Sequence, residues 1–123
     1  TPGAMPVEML RGALAAQGVL RADELHGVED GTRVRVAGVV THRQHPATAG
    51  GVTFLGLEDE TGLINVVLSV GLWNRQKVLA RTAKAMIVRG IVQNASGAVS
   101  VVADRLEPLE MAEWLTRGSR DFR

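Results

Sequence analysis

Cysteine is absent from the 123 residues, which excludes disulfides and thiolate-bound metal and is compatible with a reducing compartment. Aromatic rings are scarce: Phe54, Phe122, Trp73 and Trp114 are the only phenyl and indole groups, and tyrosine is missing. That scarcity counts against a sequence-blind single-strand binder, which ordinarily offers several stacking faces. No apolar run approaches the roughly 18 residues a membrane helix needs, and no basic stretch followed by an apolar one opens the chain as a signal peptide would. No membrane partner is therefore expected, and the expected location is cytoplasmic. Net charge is small as well, with 14 Lys and Arg against 13 Asp and Glu. The start, Thr1-Pro2-Gly3-Ala4-Met5-Pro6, lacks the look of a natural beginning and reads as the edge of a fragment.

What charge there is has been partitioned. Residues 1–31 hold two basic and five acidic groups, residues 32–106 hold nine basic and four acidic, and residues 107–123 hold three basic and four acidic. A basic middle between acidic ends fits a central module that meets polyanions, although an excess of five is modest.

The pattern of apolar residues divides the chain into an N-terminal helix and connector (1–31), a barrel (32–108) and a C-terminal helix and tail (109–123). Val7 to Gln17 reads as a helix with Pro6 in its first turn and Gly18 as its stop, and a short helical turn is expected at 22–25. From Thr32 the period changes to the alternation of a half-buried strand, which runs to Arg43 with Gly38 marking a bend. Strands follow at 52–58 and 63–70, joined by the turn Asp59-Glu60-Thr61-Gly62. A short helix is expected over 71–82, then a hairpin of strands 85–93 and 98–106 around Asn94-Ala95-Ser96-Gly97. Five strands with a helix between the third and fourth is the order of the OB-fold, a partly open Greek-key barrel, so the fold class expected is all-β with flanking helices.

OB-folds bind single strands on the outer faces of their second and third strands. Parity turns Leu55 and Leu57 inward and Phe54 outward, making Phe54 a candidate stacking platform. It turns Ile64 and Val66 inward, and Asn65 outward onto the face of Phe54, where an amide can meet a base edge. Arg43 ends the first strand beside the glycine-containing loop, positioned to hold a phosphate bidentately, and Arg33 and Arg35 share its outward parity at the strand's other end. Arg35, Gln44 and His45 complete the candidate nucleic-acid-binding set. Arg75, Lys77 and Arg81 read as a solvated helix face. Trp73 and Trp114 read as anchors between helix and barrel.

No catalytic residue, metal or cofactor is expected. Glu58, Asp59 and Glu60 form the one dense acidic cluster, but Asp59 and Thr61 ahead of Gly62 are better explained as turn formers that bond their own backbone. His42 and His45 have no third partner with which to hold zinc. Nucleophile-elbow, P-loop and dinucleotide fingerprints are all missing.

The loop Arg43-Gln44-His45-Pro46-Ala47-Thr48-Ala49 followed by Phe54-Leu55-Gly56-Leu57-Glu58-Asp59-Glu60-Thr61-Gly62 resembles the OB domain near the C-terminus of bacterial C-family DNA polymerases, which are related to the DNA polymerase III alpha subunit. The likeness is strongest to the error-prone, damage-inducible branch (ImuC-type). It extends to Val34–Val40, Val88–Gln93 and Ser119–Arg123, covering roughly residues 5–123. Relatives often carry Arg or Lys where His45 stands and Lys where Gly50 stands, so this loop is less basic than theirs. The resemblance implies a non-catalytic module of a translesion polymerase that helps place single-stranded template DNA, with the rest of the polymerase chain as its neighbour. It also implies a different role, docking to a catalytically inactive Y-family partner. A shorter pattern, Phe54 through Gly62, is similar to the anticodon-binding OB domains of aminoacyl-tRNA synthetases, which makes Asn65 a base-contact position by resemblance. The Arg-Gln-x-Pro-x-Thr-Ala loop speaks against that third reading.

Overall fold

The computed structural model describes residues 18–45, 51–95 and 98–109. The helices expected at 7–17 and 109–117 lie outside this description, except for Leu109, as do Trp114, Phe122 and most of the loop after His45.

Six strands form the sheet: β1 (Val19–Leu20), β2 (Arg33–Gln44), β3 (Thr53–Asp59), β4 (Gly62–Leu68), β5 (Ala85–Ala95) and β6 (Ala98–Pro108). Between β4 and β5 lie two short helices, α1 (Val70–Arg75) and α2 (Lys77–Thr82), and a 3-10 turn covers Ala22–Gly27. Antiparallel pairing joins β2 to β3, β3 to β4 and β5 to β6. A parallel pairing of Asn65–Leu68 with Ser100–Ala103, and an antiparallel one of Arg33–Val39 with Ala85–Ile91, close the sheet on itself. This is the five-stranded closed barrel that the order of elements predicts.

The interior follows from strand periodicity. Val34 and Val36 of β2, Leu55 and Leu57 of β3, Ile64, Val66 and Leu68 of β4, Val88 and Val92 of β5 and Val101 and Leu106 of β6 share one apolar core. Each fully buried aliphatic side chain of this kind contributes about 1.5–3 kcal/mol. Leu72 and Trp73 of α1 and Ala80 of α2 join the same core, so the helices plug the barrel. Gly38 and Gly90 mark the points of closest backbone approach: a Cβ on Gly38 would lie 2.7 Å from the Glu58 carbonyl oxygen, and one on Gly90 would lie 2.2 Å from that of Val102.

Three features depart from the sequence reading. The connector supplies β1, which pairs in parallel with Arg35 and Val36 along the stretch of β2 edge that β3 leaves uncovered. Val19 then packs with Ala37 and Ile87 in a second, smaller cluster on the outside of the barrel. The helix expected over 71–82 is split at Gln76, whose side chain donates to the Leu106 carbonyl at 2.8 Å and accepts from the Leu106 amide at 2.7 Å. Leu106 lies on β6 beyond its pairing with β4, so the Gln76 amide stands in for the missing strand neighbour. Finally, the β2–β3 register shifts between Val40 and His42, leaving Thr41 as a bulged residue.

Candidate nucleic-acid interface

The Thr41 bulge decides which side chains β2 contributes to the outer face. Val40 pairs with Leu57, but after the bulge His42 pairs with Gly56, Arg43 with Leu55 and Gln44 with Phe54. One extra residue reverses the alternation. His42 and Gln44 take the outward parity, while Arg43 takes that of buried Leu55. The expectation that Arg43 shares outward parity with Arg33 and Arg35 is corrected here. Its guanidinium reaches α2 instead, where Nε donates to the Ala80 carbonyl at 2.7 Å and Nη2 donates to the Ala83 carbonyl. A cation on the last carbonyls of a helix is favoured by the helix dipole. Burial there pulls the Arg43 pKa down from its ordinary value.

Two rows of outward residues cross β2, β3, β4 and β6. The first runs Gln44, Phe54, Val67, Val102, and the second runs His42, Gly56, Asn65, Ser100. Phe54, the second residue of β3, is 40% exposed although its neighbours Thr53 and Leu55 are buried. Gln44 and Asn65 are exposed beside it. The sequence-predicted Phe54, Asn65 and Gln44 are thus brought together on one surface.

The other three candidates are placed elsewhere or given other work. The His45 ring stacks on buried Trp73, with centroids 4.5 Å apart and planes 16° from parallel, and its Nδ1 lies 2.5 Å from the Thr53 hydroxyl. It therefore pins the exit of β2 onto α1. Arg35 lies toward the opposite end of β2, where Nη2 donates to Glu107 at 2.6 Å. Around it Arg89 bonds Asp104 at 2.7 Å, Arg33 approaches Asp104 at 3.5 Å and Arg105 approaches Glu107 at 3.9 Å. Among the described residues, Arg75, Lys77, Arg81 and Lys84 take no part in the ion pairs, which leaves these four exposed cations of the α1–α2 region uncompensated.

The acidic cluster resolves as a turn. Asp59 Oδ1 accepts from the Thr61 amide and hydroxyl, both at 2.8 Å, and from the Gly62 amide at 3.1 Å. Its Oδ2 accepts from the Ala22 amide at 2.8 Å, tying the connector to the β3–β4 turn.

Sequence reasoning passed over His42 as a site residue. The one signal for it was Gly56, an isolated glycine inside a strand, which marks a place where another group approaches the backbone closely.

A family model described as an OB-fold nucleic acid binding domain matches residues 34–109. An error-prone DNA polymerase of Corynebacterium efficiens is 70% identical over 124 residues, covering 100% of this chain and 12% of that protein. The error-prone DNA polymerase of Corynebacterium glutamicum is 66% identical over 118 residues, covering 96% of this chain and 11% of that one. The chain therefore spans about an eighth of the length of these curated relatives. Among solved structures, asparaginyl-tRNA synthetase from Pyrococcus horikoshii bound to asparaginyl-adenylate superposes with a TM-score of 0.62 at 26% identity, over 74% of this chain and 22% of that one. No helix among the described residues is long and apolar enough to cross a membrane.

Proposed function

This chain belongs to the family of OB-fold nucleic acid binding domains, and from that premise we propose that its outer β2–β3–β4 surface binds single-stranded DNA within a larger error-prone polymerase. The module itself is non-catalytic and works in the cytoplasm. Its parent extends DNA past lesions, and this segment guides the unpaired template. The observation that carries the reading is Phe54, an exposed phenyl ring held on the outer sheet face between Gln44 and Val67. A base stacks on Phe54, and the Asn65 amide offers a paired donor and acceptor to a base edge. Arg43 and His45 support this face by fixing the end of β2 to the helices, and Arg35 steadies the far end of the strand. Uncompensated cations of the α1–α2 region add a diffuse attraction for the backbone.

Fluorescence anisotropy with a labelled single-stranded oligonucleotide at low salt tests the proposal. Stacking on an aromatic side chain is worth ~1–3 kcal/mol per base, so Phe54→Ala is expected to weaken binding by roughly five- to 150-fold. A chain that shows no binding at low salt, or a Phe54→Ala variant that binds as before, would remove the DNA role.

A second reading, docking onto an inactive Y-family polymerase partner, draws on Leu63 at 53% and Val78 at 76% exposure, large apolar groups that barrel packing does not use. A pull-down with that partner that fails with residues 1–123, or that succeeds and is unchanged by Val78→Asp, would count against it.

A further inference from the structure

The row that carries Asn65 contains a second flat surface. A Cβ built on Gly56 would lie 2.2 Å from His42 Cε1, 2.5 Å from Nε2 and 2.7 Å from Nδ1. Three ring atoms therefore occupy the space any other residue's side chain would fill, and the imidazole lies across the bare α-carbon of Gly56. The bulged Thr41 orients it. The Thr41 hydroxyl donates to the Gly56 carbonyl at 3.2 Å and lies 3.3 Å from His42 Nδ1. One face of the ring is covered by backbone, while the residue as a whole is exposed.

This ring and Phe54 share the outer face of the sheet. Gly56 and Phe54 are two residues apart on β3, an advance of ~6.8 Å along the strand. Both rings therefore lie on neighbouring rows of one sheet face. Asn65 flanks Gly56 on β4, on the side away from His42.

We infer that His42 is a second base platform: the sheet takes two successive unpaired nucleotides, one base on Phe54 and the next on the His42 imidazole with the Asn65 amide at its edge. The inference rests on the proposed single-strand function of this face. It also meets the shortage of aromatics, because the second flat group is a histidine ring seated on a glycine.

The test uses the 123-residue chain and a fluorescein-labelled single-stranded octamer at low salt, with thermal melts to confirm that each variant folds. His42→Ala is expected to weaken binding by roughly five- to 150-fold, given ~1–3 kcal/mol per stacked base. His42→Phe, which keeps a flat face, is expected to stay within about threefold of the unchanged chain by the same reasoning. Gly56→Ala puts a methyl group where the ring lies and is expected to behave like His42→Ala; should it not fold, the two His42 variants decide the matter. If His42→Ala binds like the unchanged chain while Phe54→Ala is weakened, the second platform is overturned and the single-strand reading stands. If the unchanged chain does not bind, both are overturned.

Discussion

The two ends of β2 serve opposite purposes. Toward its start, Arg33 and Arg35 lie beside Arg89 and Arg105, and these four cations share Asp104 and Glu107 at distances from 2.6 to 3.9 Å. Toward its finish, past the Thr41 bulge, His42 and Gln44 lie beside Phe54 and Asn65 with little charge at all. The basic excess of the central segment therefore does not mark the proposed binding face. Four of the nine cations in that segment share two carboxylates, and Arg43 is committed to helix carbonyls. The surface best shaped for a nucleobase is the one where flat and amide groups stand clear of such pairing.

That contrast can be broken most severely at the paired end. Gly90 stands where β5 and β6 shift register, and Gly90→Ala would drive a methyl group against the Val102 carbonyl; a loss of about 3 kcal/mol in urea denaturation is expected. Asp59→Ala removes the acceptor for three turn donors and for the Ala22 amide. Leaving buried donors unmet costs about 2 kcal/mol, read as a lowered unfolding midpoint with Phe54 still available to a base. Arg43→Leu sharpens the comparison, since it separates support from binding. Loss of its two bonds to the end of α2 should lower stability by about 1–2 kcal/mol, whereas a phosphate grip would instead show as a shallower salt dependence of binding with stability kept. Arg33→Ala is the mildest test. Its pair with Asp104 is long and largely exposed, so stability should change by less than about 0.5 kcal/mol, and oligonucleotide affinity measured by anisotropy should stay within about twofold by the same argument. A large loss of affinity would instead place the binding surface at the paired end.

Much of the barrel was legible because strand alternation is local. Leu55 and Leu57 inward with Phe54 outward, and Ile64 and Val66 inward with Asn65 outward, follow from a period of two. The turn at Asp59–Gly62 was legible because an aspartate that bonds the backbone two and three residues on acts within its own neighbourhood. The break at Gln76 was not, because its cause is Leu106, thirty residues away. Nor was the pairing of Val19 and Leu20 with β2, which exists only because β3 leaves that edge open. Arg43 and His42 exchanged outward parity for a similar reason. A bulge is a property of two strands in register, and nothing in Val40-Thr41-His42 alone announces it.

The amino-acid sequence by itself determined the elements, their order and the apolar set that fills the barrel, since these depend on periods and turn chemistry carried within short segments. Only the tertiary structure decided which polar groups face outward together. Register, bulges and helix docking arise between segments distant in the chain, and they place a histidine ring on Gly56 and turn an arginine away from the surface it was expected to serve.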